Sequence, residues 1–77
     1  MRDDTPFEVN ALGMRCPWPA LRAARAMRDH GAVRVIADDP IASRELESLA
    51  QECGWSFKKH KENQFIMAHV VTENQSQ

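Results

Sequence analysis

The chain has 77 residues, enough for one small domain spanning 1–77 and for a modest hydrophobic core. A net charge of −1 excludes the strongly basic profile of a general nucleic-acid binder. No stretch approaches the roughly 20 apolar residues of a membrane span.

The opening "MRDDTPFEV" lacks the apolar run of a signal peptide. The expected location is therefore cytoplasmic, where Cys16 and Cys53 would both stay reduced. The two cysteines are too few and too far apart for a disulfide framework or a metal-ligand spacing.

An ordered core is expected over about residues 6–71. "PFEVNAL" alternates Phe7, Val9 and Ala11 against Glu8 and Asn10, which reads as a strand with one buried face. Gly13 breaks it. From Pro17 to about His30 the residues are good helix formers, and Gly31 sits where a C-cap glycine belongs. "AVRVIA" at 32–37 reads as a second strand. "DDP" at 38–40 reads as a helix start, with Asp39 capping and Pro40 in the first helical position. Ala42, Leu46, Leu49, Ala50 and Cys53 then fall on one apolar helical face, so Cys53 is expected in the core. Gly54 ends this helix, with Trp55 supplying the apolar contact that follows. "WSFKKHK" and "QFIMAHVV" form a hairpin across Glu62-Asn63, with Asn63 suited to a left-handed turn position.

The order β-α-β-α-β-β predicts an α+β fold, a two-layer α/β sandwich. The first two strands would be parallel through a right-handed crossover, and the last two antiparallel. The result is a mixed four-stranded sheet with two helices packed on one face and the other face partly wet.

"GMRCPWPALRAARAM" carries the chemistry. Proline in the first helical turn removes a donor that has no intrahelical partner anyway. With Cys16 as N-cap, Pro17 and Pro19 would stand first and third, and the Trp18 N–H would be the donor best placed to meet the sulfur. The residue before a proline avoids helical angles, so Trp18 could equally be the cap. Either way the sulfur lies near a helix N-terminus beside Arg15, and both lower a thiol pKa from about 8.5. The crossover also brings Asp38 and Asp39 to the same sheet edge, and a carboxylate acts oppositely. Asp38 is available to pair with Arg15, and the sequence does not sign the net shift. A loop thiol between Gly13 and Pro17 reads as a nucleophile, in contrast to Cys53.

Residues 15–34 contain five arginines and one acid, whereas 38–52 contain five acids and one arginine. This polarity, with Arg22, Arg25 and Arg28 exposed on the first helix, suits electrostatic steering of a partner, and Met14, Trp18, Arg22 and Arg25 are the docking candidates. The alternative is an ordinary solvated helix face. His30, His60 and His69 lack ligand spacing with either cysteine, although His60 and His69 could be cross-strand neighbours. No metal site is expected. "KKHK" lacks interleaved aromatics and reads as a wet strand face.

"LGMRCPWPALRAARAM", "VIADDPIASREL" and "ECGW" together resemble the TusA/SirA family of small sulfur-carrier proteins. The motif residues are Leu12, Gly13, Arg15, Cys16, Pro17 and Pro19, with Ala37, Asp38, Asp39 and Pro40 as a second block. The resemblance covers about residues 7–71. It implies the sandwich fold, shared with the C-terminal domain of a translation initiation factor. It implies that Cys16 carries sulfur as a persulfide, with no other cofactor. The implied partners are a cysteine desulfurase or rhodanese-type donor and a downstream acceptor protein, with uses such as tRNA thiolation or cofactor sulfuration. No direct nucleic-acid or membrane contact is implied, and a monomer is expected. Cys53 matches no second family cysteine. A binding module without sulfur transfer and a thiol redox switch are the competing readings.

Overall fold

The computed structural model describes residues 6–70. Its elements are β1 (Phe7–Asn10), α1 (Trp18–Asp29), β2 (Ala32–Ile36), α2 (Ala42–Cys53), β3 (Trp55–Lys61) and β4 (Gln64–His69). The sheet order is β1-β2-β4-β3. β1 and β2 are parallel, whereas β2–β4 and β3–β4 are antiparallel. The expected mixed α+β sandwich is therefore the observed one. A parallel pair needs a crossover, and α1 provides it.

Strand alternation makes the core. Val9, Val33, Val35, Phe65 and Met67 point to the helix side and are buried. Met27 of α1 and Leu46 of α2 meet them, and Ala23, Ala42 and Ala50 let the two helices lie close. Fully burying side chains such as Leu46 or Met67 stabilises by roughly 1.5–3 kcal/mol each. The opposite sheet face is half-buried, with Arg34, Ile36, Gln64 and Ile66.

Several local readings need correction. Phe7 is 46% exposed, not core. It stands at the outer end of an edge strand and stacks on the His30 ring instead, centroids 4.0 Å apart. Gly31 does not cap α1. His30 caps it in an extended conformation (φ −132°, ψ 149°), and the chain passes straight into β2 without a left-handed residue.

Helix α2 begins two residues later than Pro40, because its first i→i−4 bond runs from Glu45 to Ile41 (3.0 Å). Cys53 is exposed. It is the last helical residue, where the chain turns away at Gly54 (φ 73°). Leu49, Trp55 and Phe57 pack against the core there instead.

The hairpin turn uses no left-handed Asn63, since no described non-glycine residue has positive φ. Lys59 pairs with Phe65 and Lys61 with Gln64, so His60 is an extra, bulged residue. The bulge supplies the twist that a left-handed turn would otherwise provide. His60 and His69 are not neighbours: His69 lies opposite Trp55 and meets the Met27 carbonyl through Nε2 at 2.8 Å.

Candidate functional site

The loop from Ala11 to Pro17 leaves the end of β1 and is held at both levels by hydrogen bonds. Ala11 N–H donates to the Ile36 carbonyl (2.7 Å), and Met14 N–H closes a turn onto the Ala11 carbonyl (3.1 Å). Gly13 occupies the third position of that turn with φ 79°, a backbone geometry that a side chain would strain.

The two acids of "ADDP" then reach across from the β2–α2 connection. Asp38 Oδ1 accepts the Gly13 N–H (3.0 Å), and Asp39 Oδ2 accepts the Cys16 N–H (2.7 Å). The other Asp39 oxygen accepts the Ile41 N–H (3.1 Å). One carboxylate thus fastens the Cys16 loop to the head of α2. Asp39 does act on an orphan donor of that helix, although it is not the N-cap residue itself. Asp38 is engaged with Gly13 and forms no ion pair with Arg15; among the described residues the ion pair is Arg34–Glu8 (3.1 Å).

Pro17 is the N-cap of α1 and Pro19 lies in its first turn, so neither Cys16 nor Trp18 caps the helix. The Cys16–Pro17 peptide is cis. Trp18 N–H donates to the Arg15 carbonyl (2.9 Å), which takes it away from the sulfur. The first α-helical bond is Leu21 N–H to the Pro17 carbonyl (3.0 Å). The prolines therefore leave a stiff entry with few free donors, and Cys16 stands just outside it, exposed to solvent.

The thiol pKa is raised. The largest cause is a hydrogen bond to the Glu45 carboxylate, followed by partial loss of hydration and the negative charges of Glu45 and Asp39. The neighbouring acids thus favour the protonated thiol. Because the thiolate is the alkylated form, the pH profile of Cys16 alkylation should have its midpoint above that of an ordinary thiol. Glu45→Gln should shift that midpoint down and speed iodoacetamide labelling at neutral pH. An unchanged or raised midpoint would contradict this arrangement.

The model of the TusA sulfurtransferase family matches residues 7–72. This chain belongs to the TusA family. The sulfur carrier protein TusA of Allochromatium vinosum is 34% identical over 62 residues, covering 77% of this chain and 82% of the relative. A putative sulfur carrier protein of Archaeoglobus fulgidus is 32% identical over 50 residues, covering 61% of this chain and 65% of the relative. A SirA-like protein of Desulfitobacterium hafniense superposes with a TM-score of 0.70 at 23% identity, covering 84% of this chain and 99% of that one. That likeness concerns the fold.

On this TusA-family scaffold, Gly13, Arg15, Cys16, Pro17, Asp38 and Asp39 converge at one edge, as do Trp18 and Pro19. Pro19 is buried and anchors the start of α1. Met14 folds back onto the core, half-buried, whereas Trp18 stays 58% exposed. Arg22, Arg25 and Arg28 are exposed along α1. Among the described residues, no three His, Cys, Asp or Glu side chains gather as metal ligands.

Glu45 is the residue that the sequence reading missed. The signal was available: if the β2–α2 connection abuts Cys16, the first turn of α2 does too, and Glu45 is its acid. Asp39→Ala removes two hydrogen bonds at once and should destabilise the fold by about 1–2 kcal/mol. It also removes a charge beside the thiol, so chemical denaturation and alkylation should move oppositely: lower stability, faster labelling.

Proposed function

We propose that this protein is a sulfur carrier that receives sulfane sulfur on Cys16 as a persulfide and passes it to an acceptor protein. The observation that carries this reading is an exposed thiol on a loop fixed by Asp38 and Asp39, in a chain of the TusA family.

Sulfur transfer needs a thiolate that attacks a sulfur atom, as in disulfide exchange. Cys16 gives its proton to solvent, and the thiolate attacks the terminal sulfur of a donor persulfide. A Cys16 S–S bond forms, the donor S–S bond breaks, and the donor leaves as a thiolate. In the second half, an acceptor thiolate attacks the terminal sulfur on Cys16. Cys16 leaves as thiolate and recovers its proton. The two half-reactions balance without an external oxidant or reductant. The covalent sulfur is the group carried, and no separate cofactor enters.

The donor is a cysteine desulfurase or rhodanese-type protein, and the acceptor a protein of tRNA thiolation or cofactor sulfuration. The carrier works as a cytoplasmic monomer that meets proteins, not nucleic acid or membrane. Arg15, Trp18, Arg22 and Arg25 frame the approach, with Met14 supporting the loop from below.

A redox switch fits less well. Sensor thiols are often poised next to a resolving cysteine. Cys53 closes the far end of α2, about 16 Å along the helix from its start, and is no resolving partner for Cys16. To test carriage, the protein is loaded by a cysteine desulfurase with cysteine, separated from the donor, and treated with cyanide. Thiocyanate equal to about one sulfur per chain is expected. No thiocyanate above the level of the unloaded protein would contradict the proposal.

A further inference from the structure

Among the described residues β1 is an edge strand, with no strand on its outer side in the sheet order β1-β2-β4-β3. The bond from Ala11 N–H to the Ile36 carbonyl fixes which residues face inward. By alternation, Phe7, Val9 and Ala11 pair with β2, so the N–H and C=O groups of Glu8 and Asn10 point outward. Such a row is a template for another strand.

Beside that edge runs a groove of about 720 Å³ between β1 and α1, lined among others by Phe7, Val9, Trp18, Leu21, Arg22 and Arg25. Three apolar side chains in it are exposed: Phe7 by 46%, Leu21 by 52% and Trp18 by 58%. Arg22 and Arg25 are exposed and form no ion pair among the described residues. Glu8 does not neutralise them, because its carboxylate is bound to Arg34. Asp29 lines the same groove at the last residue of α1.

We infer that the β1 edge and this groove together take an extended acidic segment of a partner protein, added as a fifth strand. Its backbone would bond Glu8 and Asn10. Its helix-facing side chains would lie in the groove, apolar ones against Phe7, Leu21 and Trp18, and acidic ones against Arg22 and Arg25. This is strand addition, in which the main chain supplies affinity and the groove supplies selection. A second copy of this chain suits the groove poorly, because a two-fold pairing of β1 edges sets the arginines of each copy against their own kind. Trp18 lies two residues from Cys16, so the docked segment would bring its protein to the thiol. The inference is separable from sulfur carriage: Cys16→Ser should lose the sulfur and keep the docking.

The test is a ¹⁵N chemical-shift titration of the full chain with a capped heptapeptide of threonine, isoleucine and phenylalanine bearing two glutamates. A twin peptide has lysine in place of each glutamate. Shifts should concentrate on Phe7–Asn10 and on the α1 residues of the groove, and the Glu8 and Asn10 amides should gain hydrogen-exchange protection. Arg22→Glu with Arg25→Glu should weaken the acidic peptide about tenfold and bind the lysine twin in its place. Equal binding of both peptides, shifts elsewhere, or no binding up to millimolar peptide would overturn the inference. So would protection of Glu8 and Asn10 that rises with protein concentration alone, which would identify the occupant as a second copy.

Discussion

Replacing Cys16 by serine should abolish sulfur loading, while the same change at Cys53 should leave it intact. Serine keeps the size and the exposed position, and the backbone N–H that Asp39 holds is untouched. The fold should therefore survive, and only the nucleophile is lost. A hydroxyl beside Glu45 does not substitute, because sulfur exchange requires a thiolate. Cys53 is also exposed and free, so accessibility alone does not separate the two. What separates them is setting. Cys16 lies near the acids Glu45 and Asp39, on a loop pinned at 2.7 Å and 3.0 Å by two carboxylates, whereas Cys53 ends a helix. Loading that persists at full stoichiometry in Cys16→Ser would move the carrier thiol to Cys53 and undo the account of the loop.

The largest effect on stability is expected from Leu46→Ala. Leu46 is fully buried where α2 meets the sheet, on the face it shares with Ala42 and Ala50. Removing a large buried side chain costs its transfer free energy and leaves a cavity, together about 2–5 kcal/mol. A domain this small has a total stability of the same order, at roughly 0.05–0.15 kcal/mol per residue. The variant should be partly unfolded at room temperature, with its urea midpoint shifted strongly downward. Because α2 also carries Asp39's contact Ile41 and the acid Glu45, loosening it should release Cys16 as well, and alkylation should quicken. A loss below about 1 kcal/mol would show that the packing around Leu46 collapses readily to fill the space.

The fold was legible wherever one local rule acted alone. The β-branched runs "AVRVIA" and "QFIMAHVV" marked the two central strands, and Gly54 marked the end of α2 in a left-handed conformation. It was less legible where neighbours compete. Gly31 looked like a cap, but His30 leaves the helix extended and β2 begins at once, so no left-handed residue is needed. Cys53 kept the helical spacing of the core residues, yet spacing does not say where a helix outruns the layer that covers it. Phe7 kept the strand spacing and fell, exposed, on the edge strand of the described sheet.

At the site, the convergence of Cys16, Asp38 and Asp39 followed from chain direction alone. The partners did not. Arg15 was the obvious mate for Asp38 by charge, but the Gly13 N–H needed an acceptor and is held by the fold, whereas a long exposed arginine gains little from pairing in water. The direction of the Cys16 shift was beyond the sequence because it depends on Glu45, which reaches the thiol only once α2 is placed.

The most direct test of the account is where the sulfur sits. After incubation with a cysteine desulfurase and cysteine, the intact chain should gain about 32 Da, one sulfur atom, removable by a thiol reductant. Fragment masses should place it on the peptide that contains Cys16. Sulfur on Cys53, or no reducible gain in mass, would contradict the assignment.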